Sequence, residues 1–211
     1  MNLPPAAGTD PKGPADEPPL PDLPPIILAS ASPRRRELLA RLGVRFEVVP
    51  GHAEEAEHDE LTGRELCLLN AHRKARVVAK HHPDHLVIGA DTVVYLGTRS
   101  LGKPVDDADA RRMLALLSGE THQVLTGVCL LHLRGHRERL FADVTEVTFR
   151  SLSPEAIAAY VAAVQTLDKA GAYAIQERGE ELVAGIQGSH SNVVGLPLER
   201  LRAELLAWPW E

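Results

Sequence analysis

Only two cysteines occur in the sequence, Cys67 and Cys129, and they lack C-x-x-C spacing. Set in apolar surroundings, they read as buried thiols rather than a disulfide or a zinc site. No apolar run approaches the ~20 residues of a membrane helix, and no basic segment followed by an apolar one opens the chain. A cytoplasmic protein with no membrane contact is the expectation. Basic residues are the minority, 23 Lys and Arg against 29 Asp and Glu, for a net charge of −6. That balance argues against bulk nucleic-acid binding while allowing a local basic pocket. There is no G-x-x-x-x-G-K-[ST] loop, which disfavours a P-loop ATPase, and no internal repeat.

What is present is a chain of 211 residues, 44% of them hydrophobic, enough for one domain with a substantial core. Residues 1–25 hold nine of the sixteen prolines and no aromatic residue. Such a stretch cannot bury enough surface to offset its ordering and reads as a disordered tail, with a P-x-x-P ligand as the alternative. The domain is expected over 26–211.

Its centre is Leu86-Val87-Ile88-Gly89-Ala90-Asp91-Thr92-Val93-Val94, an apolar run interrupted by one acid and one hydroxyl. The pattern fits a buried strand, where an ionised carboxylate is costly unless a cation, metal or hydrogen bond compensates it. Asp91 is thus a candidate chemical centre. The competing reading is a turn at a strand end, with Asp91 bonding its own backbone.

Ile26 to Ala29 reads as a first buried strand, followed by Ser30-Ala31-Ser32-Pro33 and a helix with Ser32 as N-cap and Pro33 at its first position. Strand, small polar turn and helix start aim backbone N–H groups at an anion. Arg34, Arg35 and Arg36 fall in that first turn. Because successive helical residues point about 100° apart, one arginine is expected to face the turn and the others water.

Residues 45–49 alternate like a half-buried strand. The acid-rich stretch Glu54 to Glu60 is a solvated loop or a metal-binding one. Thr62 with Glu65 forms a capping box opening a helix through Val78, in which Lys74 faces either the site or solvent. His81, His82 and His85 read as exposed loop. Gly97 marks a hairpin turn, and Gly102-Lys103-Pro104 a rigid loop presenting an ammonium. Residues 106–118 read as a helix, 121–133 and 137–149 as a long antiparallel hairpin, and Ser153-Pro154-Glu155 as the start of another helix. A final helix runs through Leu198, Leu201 and Leu205, and Trp208 and Trp210 cap the core edge.

A phosphate-directed turn with arginine, two separated lysines, an acidic loop and a strand acid suit metal-assisted phosphoanhydride chemistry. The segments Leu28-Ala29-Ser30-Ala31-Ser32-Pro33-Arg34-Arg35, Ile88-Gly89-Ala90-Asp91-Thr92-Val93-Val94, Leu101-Gly102-Lys103-Pro104, Gly119-Glu120-Thr121-His122, Leu125-Thr126-Gly127-Val128 and Asp168-Lys169-Ala170-Gly171 closely resemble the Maf (septum-formation inhibitor-like) family of nucleoside triphosphate pyrophosphatases. The resemblance runs in order from Ile26 to Leu206.

It implies an α/β fold of the Maf and inosine-triphosphatase type, a mixed twisted sheet flanked by helices in two lobes around a cleft. It also implies hydrolysis of a nucleoside triphosphate to monophosphate and pyrophosphate with a divalent cation, Mg²⁺ or Mn²⁺, in a homodimer. Carried over by position, Asp91 matches the proton acceptor; Arg34, Thr92 and Gln176 match positions tied to substrate; Ser30, Lys74 and Lys103 match the polar pocket around the phosphates. The family's Asp-Glu pair falls on Glu54-Glu55 here, which makes Glu55, with Asp91, the metal-ligand candidate that the resemblance implies. Ala174-Ile175-Gln176 and residues 188–197 resemble the dTTP and UTP branch rather than the 7-methyl-GTP branch. The chain departs from the family where Glu177-Arg178-Gly179 follows Gln176 and where His190 replaces a usual tyrosine. A nucleotide-binding regulator of cell division without turnover is the alternative from another class.

Overall fold

The structure, a computed structural model, describes residues 18–54 and 61–210. Glu55, the expected second metal ligand, and most of the expected tail lie outside the described residues. Of the tail's described part, Leu20 and Leu23 pack against the core, and the Pro25 carbonyl accepts a hydrogen bond from the Leu86 N–H.

The chain begins with β1 (Ile26–Leu28), α1 (Pro33–Ala40) and β2 (Phe46–Val48), a parallel unit in which β1 pairs with β2. Then come α2 (Gly63–Ala79), β3 (Leu86–Leu96), β4 (Arg99–Leu101), α3 (Asp107–Leu117), β5 (Thr121–His132), β6 (Arg137–Phe149) and α4 (Pro154–Ala163). The last third holds α5 (Gly179–Leu182), β7 (Val183–Gln187), α6 (His190–Val194) and α7 (Leu198–Leu206). One mixed sheet results, in the order β2-β1-β3-β5-β6-β7, with β4 also paired to β3. No helix among the described residues is long and apolar enough to cross a membrane.

The expected capping box forms, with the Thr62 side chain accepting from the Glu65 N–H and the Glu65 carboxylate accepting from the Thr62 N–H. Pro33 stands at the first position of α1 as expected, although Ser32 makes no side-chain cap. The long hairpin pairs Thr121 with Thr148 through to His132 with Arg137. Strand β7, α5 and α6 were not expected from the sequence pattern.

Side chains alternate across a strand, so β3 serves two cores. Leu86, Ile88 and Ala90 pack with α1, α6 and α7 on one face, where Trp210 is buried as expected. Val87 packs on the other face against Ala71, Ala75 and Val78 of α2. Beyond the middle of β3, Val94 joins a separate cluster formed by α3, α4, Val147, Phe149 and Tyr173. Two lobes thus share the long strands β3, β5 and β6.

Gly89 and Gly127 set the distance of α2 from the sheet. A Cβ on Gly89 would stand 2.3 Å from the Ala71 carbonyl oxygen, and one on Gly127 would stand 2.5 Å from the Cys67 carbonyl carbon. Both lie on the face of Asp91, since Gly89 is two residues before it and Gly127 is its cross-strand partner. Only residues without a side chain let a helix backbone sit this close.

A gap in strand pairing then makes the site. β3 keeps β5 along one edge, but on the other it pairs with β1 only through Ile88 and with β4 only from Val94. Between those points no strand among the described residues pairs with that edge of β3. A side chain on either face can reach it.

Candidate active site

A cleft of about 880 Å³ opens over that edge, between the turn after β1, the inner face of α2, the β4–α3 loop and the segment 168–176. Asp91 sits in the middle of β3, opposite Gly127, which rules out the strand-end turn. It is 7% exposed, so its carboxylate has to be compensated. Lys74 Nζ donates to Oδ1 at 2.7 Å and Asn70 Nδ2 to Oδ2 at 3.3 Å. Asn70 and Lys74 are one helical turn apart on α2 and share a face, and the glycine contacts bring that face to the acid.

Thr92, pointing the other way, begins a hydrogen-bond chain. Thr126 Oγ1 donates to the Asn192 carbonyl at 3.0 Å, and a hydroxyl has one proton. Thr92 Oγ1, 3.0 Å from Thr126 Oγ1, must therefore donate to it. Arg35 Nη2 completes the chain by donating to Thr92 Oγ1 at 3.0 Å. The same guanidinium donates through Nε to the Gly195 carbonyl at 2.8 Å and through Nη1 to Ser30 Oγ at 3.3 Å.

Sequence reasoning expected one arginine of the triplet to face the turn. Two line the cleft: Arg34 and Arg35, while Arg36 is exposed. Arg35 was missed as a site residue, and the signal available for it was its place in the triplet. Arg34 reaches across the mouth to Asp168 Oδ2 at 3.2 Å. Burial works to raise the Asp168 carboxyl, but the hydrogen bond and charge of Lys169, with those of Arg34, outweigh it and hold the group below its ordinary value.

Each remaining expected site residue among those described also lines the cleft. Ser30 is buried at its floor, Lys103 stands exposed on the rim, and Gln176 is exposed on the wall of the second lobe. A hydrogen bond from the Gly171 N–H to the Gly102 carbonyl, 3.0 Å long, braces the Lys103 loop. Asn70 was missed as well, although its spacing from Lys74 marks it as a neighbour. The thiols are sealed in the core as expected: burial pushes Cys67 up to about 12 and Cys129 upward too.

Among the described residues the charged side chains lining the cleft are Arg34, Arg35, Lys74, Lys103 and Lys169 against Asp91 and Asp168. A chain with an overall charge of −6 has therefore gathered cations here. Low-dielectric walls strengthen their field, and the ligand this selects is an anion of several charges. Fold and site together define a two-lobed α/β protein with a polyanion-binding cleft around one strand-borne carboxylate.

The family model described as Maf-like protein matches residues 25–208; the chain belongs to that family. It is 52% identical over 182 residues to a dTTP/UTP pyrophosphatase of Moorella thermoacetica, covering 86% of this chain and 93% of that one. With a dTTP/UTP pyrophosphatase of Akkermansia muciniphila it shares 47% identity over 176 residues, 83% of this chain and 92% of the other. Among solved structures, a HAM1 protein from Coxiella burnetii aligns with a TM-score of 0.48 and 15% identity over 87% of this chain and 98% of that one.

Proposed function

We propose that the protein hydrolyses nucleoside triphosphates, dTTP and UTP foremost, to the monophosphate and pyrophosphate. The observation that carries this reading is the placement of one buried carboxylate, Asp91, against a cleft whose other charges are mainly cationic. The curated relatives' names favour the pyrimidine substrates.

Asp91 is the general base. Its carboxylate takes a proton from a water, the water oxygen bonds to the α-phosphorus, and the bond from that phosphorus to the oxygen bridging it to the β-phosphorus breaks. Pyrophosphate leaves with that electron pair. Lys103 and Arg34, which both line the cleft, neutralise charge on the leaving group, while Arg35 holds Ser30 by a hydrogen bond. Preorganised cations of this kind stabilise developing phosphate charge without reorganising during the reaction.

A divalent cation, Mg²⁺ or Mn²⁺, fits the donor set. Among the described residues each Asp91 oxygen accepts one side-chain hydrogen bond, which leaves it a further lone pair. Mg²⁺ that bridges a nucleotide needs only one or two carboxylates. Asp91 would hold it, with Glu55 as the second candidate; the ion would supply charge neutralisation to the triphosphate.

The test is pyrophosphate release from dTTP, UTP, CTP, GTP and 7-methyl-GTP, with Mg²⁺ and with a chelator. The expected order places dTTP and UTP first, and the chelator abolishes release. Asp91→Asn should lower turnover by about 10²–10⁴-fold. Undiminished release from that variant refutes the role, and binding without hydrolysis of any nucleotide refutes the enzyme.

A further inference from the structure

Gln176 owes its position to a buried residue that does not line the cleft. Residues 174–177 form a turn closed by a 3.3 Å hydrogen bond from the Glu177 N–H to the Ala174 carbonyl. Gln176 projects from its third position and makes no side-chain hydrogen bond among the described residues. Its amide is therefore aimed by the backbone beneath it.

That backbone is gripped by Tyr160, a fully buried residue of α4 in the second lobe. The Tyr160 hydroxyl accepts from the Ala174 N–H at 3.1 Å. It also stands 3.3 Å from the Ala174 and Glu177 carbonyl oxygens, donating its one proton between them. A single hydroxyl ties together both ends of the turn. A free phenol already holds its proton through the neutral range, and burial pushes Tyr160 further up, to about 12.

We propose that Tyr160 is the positioning residue that sets where Gln176 meets the nucleobase, and so contributes to discrimination between bases. The inference rests on the reading above, in which Gln176 contacts the base. Without the hydroxyl, the ring still fills its place in the core, but the Ala174 N–H and the two carbonyls lose their common partner. The turn can then drift, and the amide with it. Small misplacements of a contact group are costly because hydrogen bonds weaken steeply with distance and angle.

The test compares kcat/KM for dTTP and CTP, pyrimidines that differ in the edge an amide reads. Gln176→Ala comes first: if it leaves the dTTP-to-CTP ratio unchanged, the reading of Gln176 fails, and with it the basis of this proposal. Given a fall there, Tyr160→Phe should lower the ratio by about tenfold. The change should lie mainly in KM, with kcat within about threefold. The double variant should match Gln176→Ala alone, since a residue that acts through another adds nothing once the other is gone. An unchanged ratio in Tyr160→Phe, or effects that multiply in the double variant, overturns the inference. A second measurement needs no variant: the Ala174 amide should exchange with solvent as slowly as core amides, and exchange at open-loop rates also overturns it.

Discussion

Lys74 Nζ lies 2.7 Å from Asp91 Oδ1, and the two side chains are 12% and 10% exposed. The contact joins the middle of α2 to the middle of β3, so the pair holds the lobe together as well as setting the charge of the site. Removing Lys74 leaves the Asp91 carboxylate buried without the ammonium that compensates it.

Lys74→Met should therefore destabilise the protein by about 3 kcal/mol and also slow turnover. Urea denaturation reads the first effect and pyrophosphate release the second. An unchanged midpoint combined with an unchanged rate would show that the pair is incidental.

Gly89→Ala tests how the helix is brought to the acid. The new methyl would stand 2.3 Å from the Ala71 carbonyl oxygen and 2.8 Å from the Ala75 nitrogen, both backbone atoms that cannot rotate away. α2 must retreat, at a cost of about 2 kcal/mol, and it takes Asn70 and Lys74 with it. Stability and turnover should fall together. Gly185→Ala, which meets nothing within 4 Å, should change neither. A fully active Gly89→Ala enzyme would mean that the approach of α2 does not set the site.

His122 predicts a pH dependence of stability. It is 1% exposed, its Nε2 lies 2.8 Å from the Tyr173 hydroxyl, and burial lowers it from 6.5 to about 4. The folded state thus keeps the ring neutral while the unfolded chain binds a proton below about 6.5. Its contribution is fully present above that pH and is lost as pH falls toward 4, up to roughly 3 kcal/mol. Urea midpoints of the parent should be flat above neutrality and drop below it; His122→Asn should flatten the drop by one proton's worth. An identical acid slope in both proteins would place the titration elsewhere.

The core elements were legible because their signals are local. Alternation along 121–132 and 137–149, the Thr62 and Glu65 capping box, and the strand interrupted by Asp91 all appear in the structure. α5 and α6 were not legible: helices of four and five residues are too short for an apolar period to register. α6 is held by distant partners, with Asn192 Nδ2 donating to the Val124 carbonyl at 3.0 Å and to Thr145 Oγ1 at 2.9 Å.

By itself the sequence determined the strand that carries the acid, the helices that flank it and the family to which the chain belongs, because pattern, caps and motif order are written in neighbouring residues. Only the tertiary structure decided that Arg35 rather than solvent faces Thr92, that Asn70 joins Lys74 on Asp91, and that Arg34 meets Asp168, 134 residues away. Those contacts depend on how closely α2 can approach two glycines and on where β1 parts from β3. Both are properties of packed backbones, which no local preference specifies.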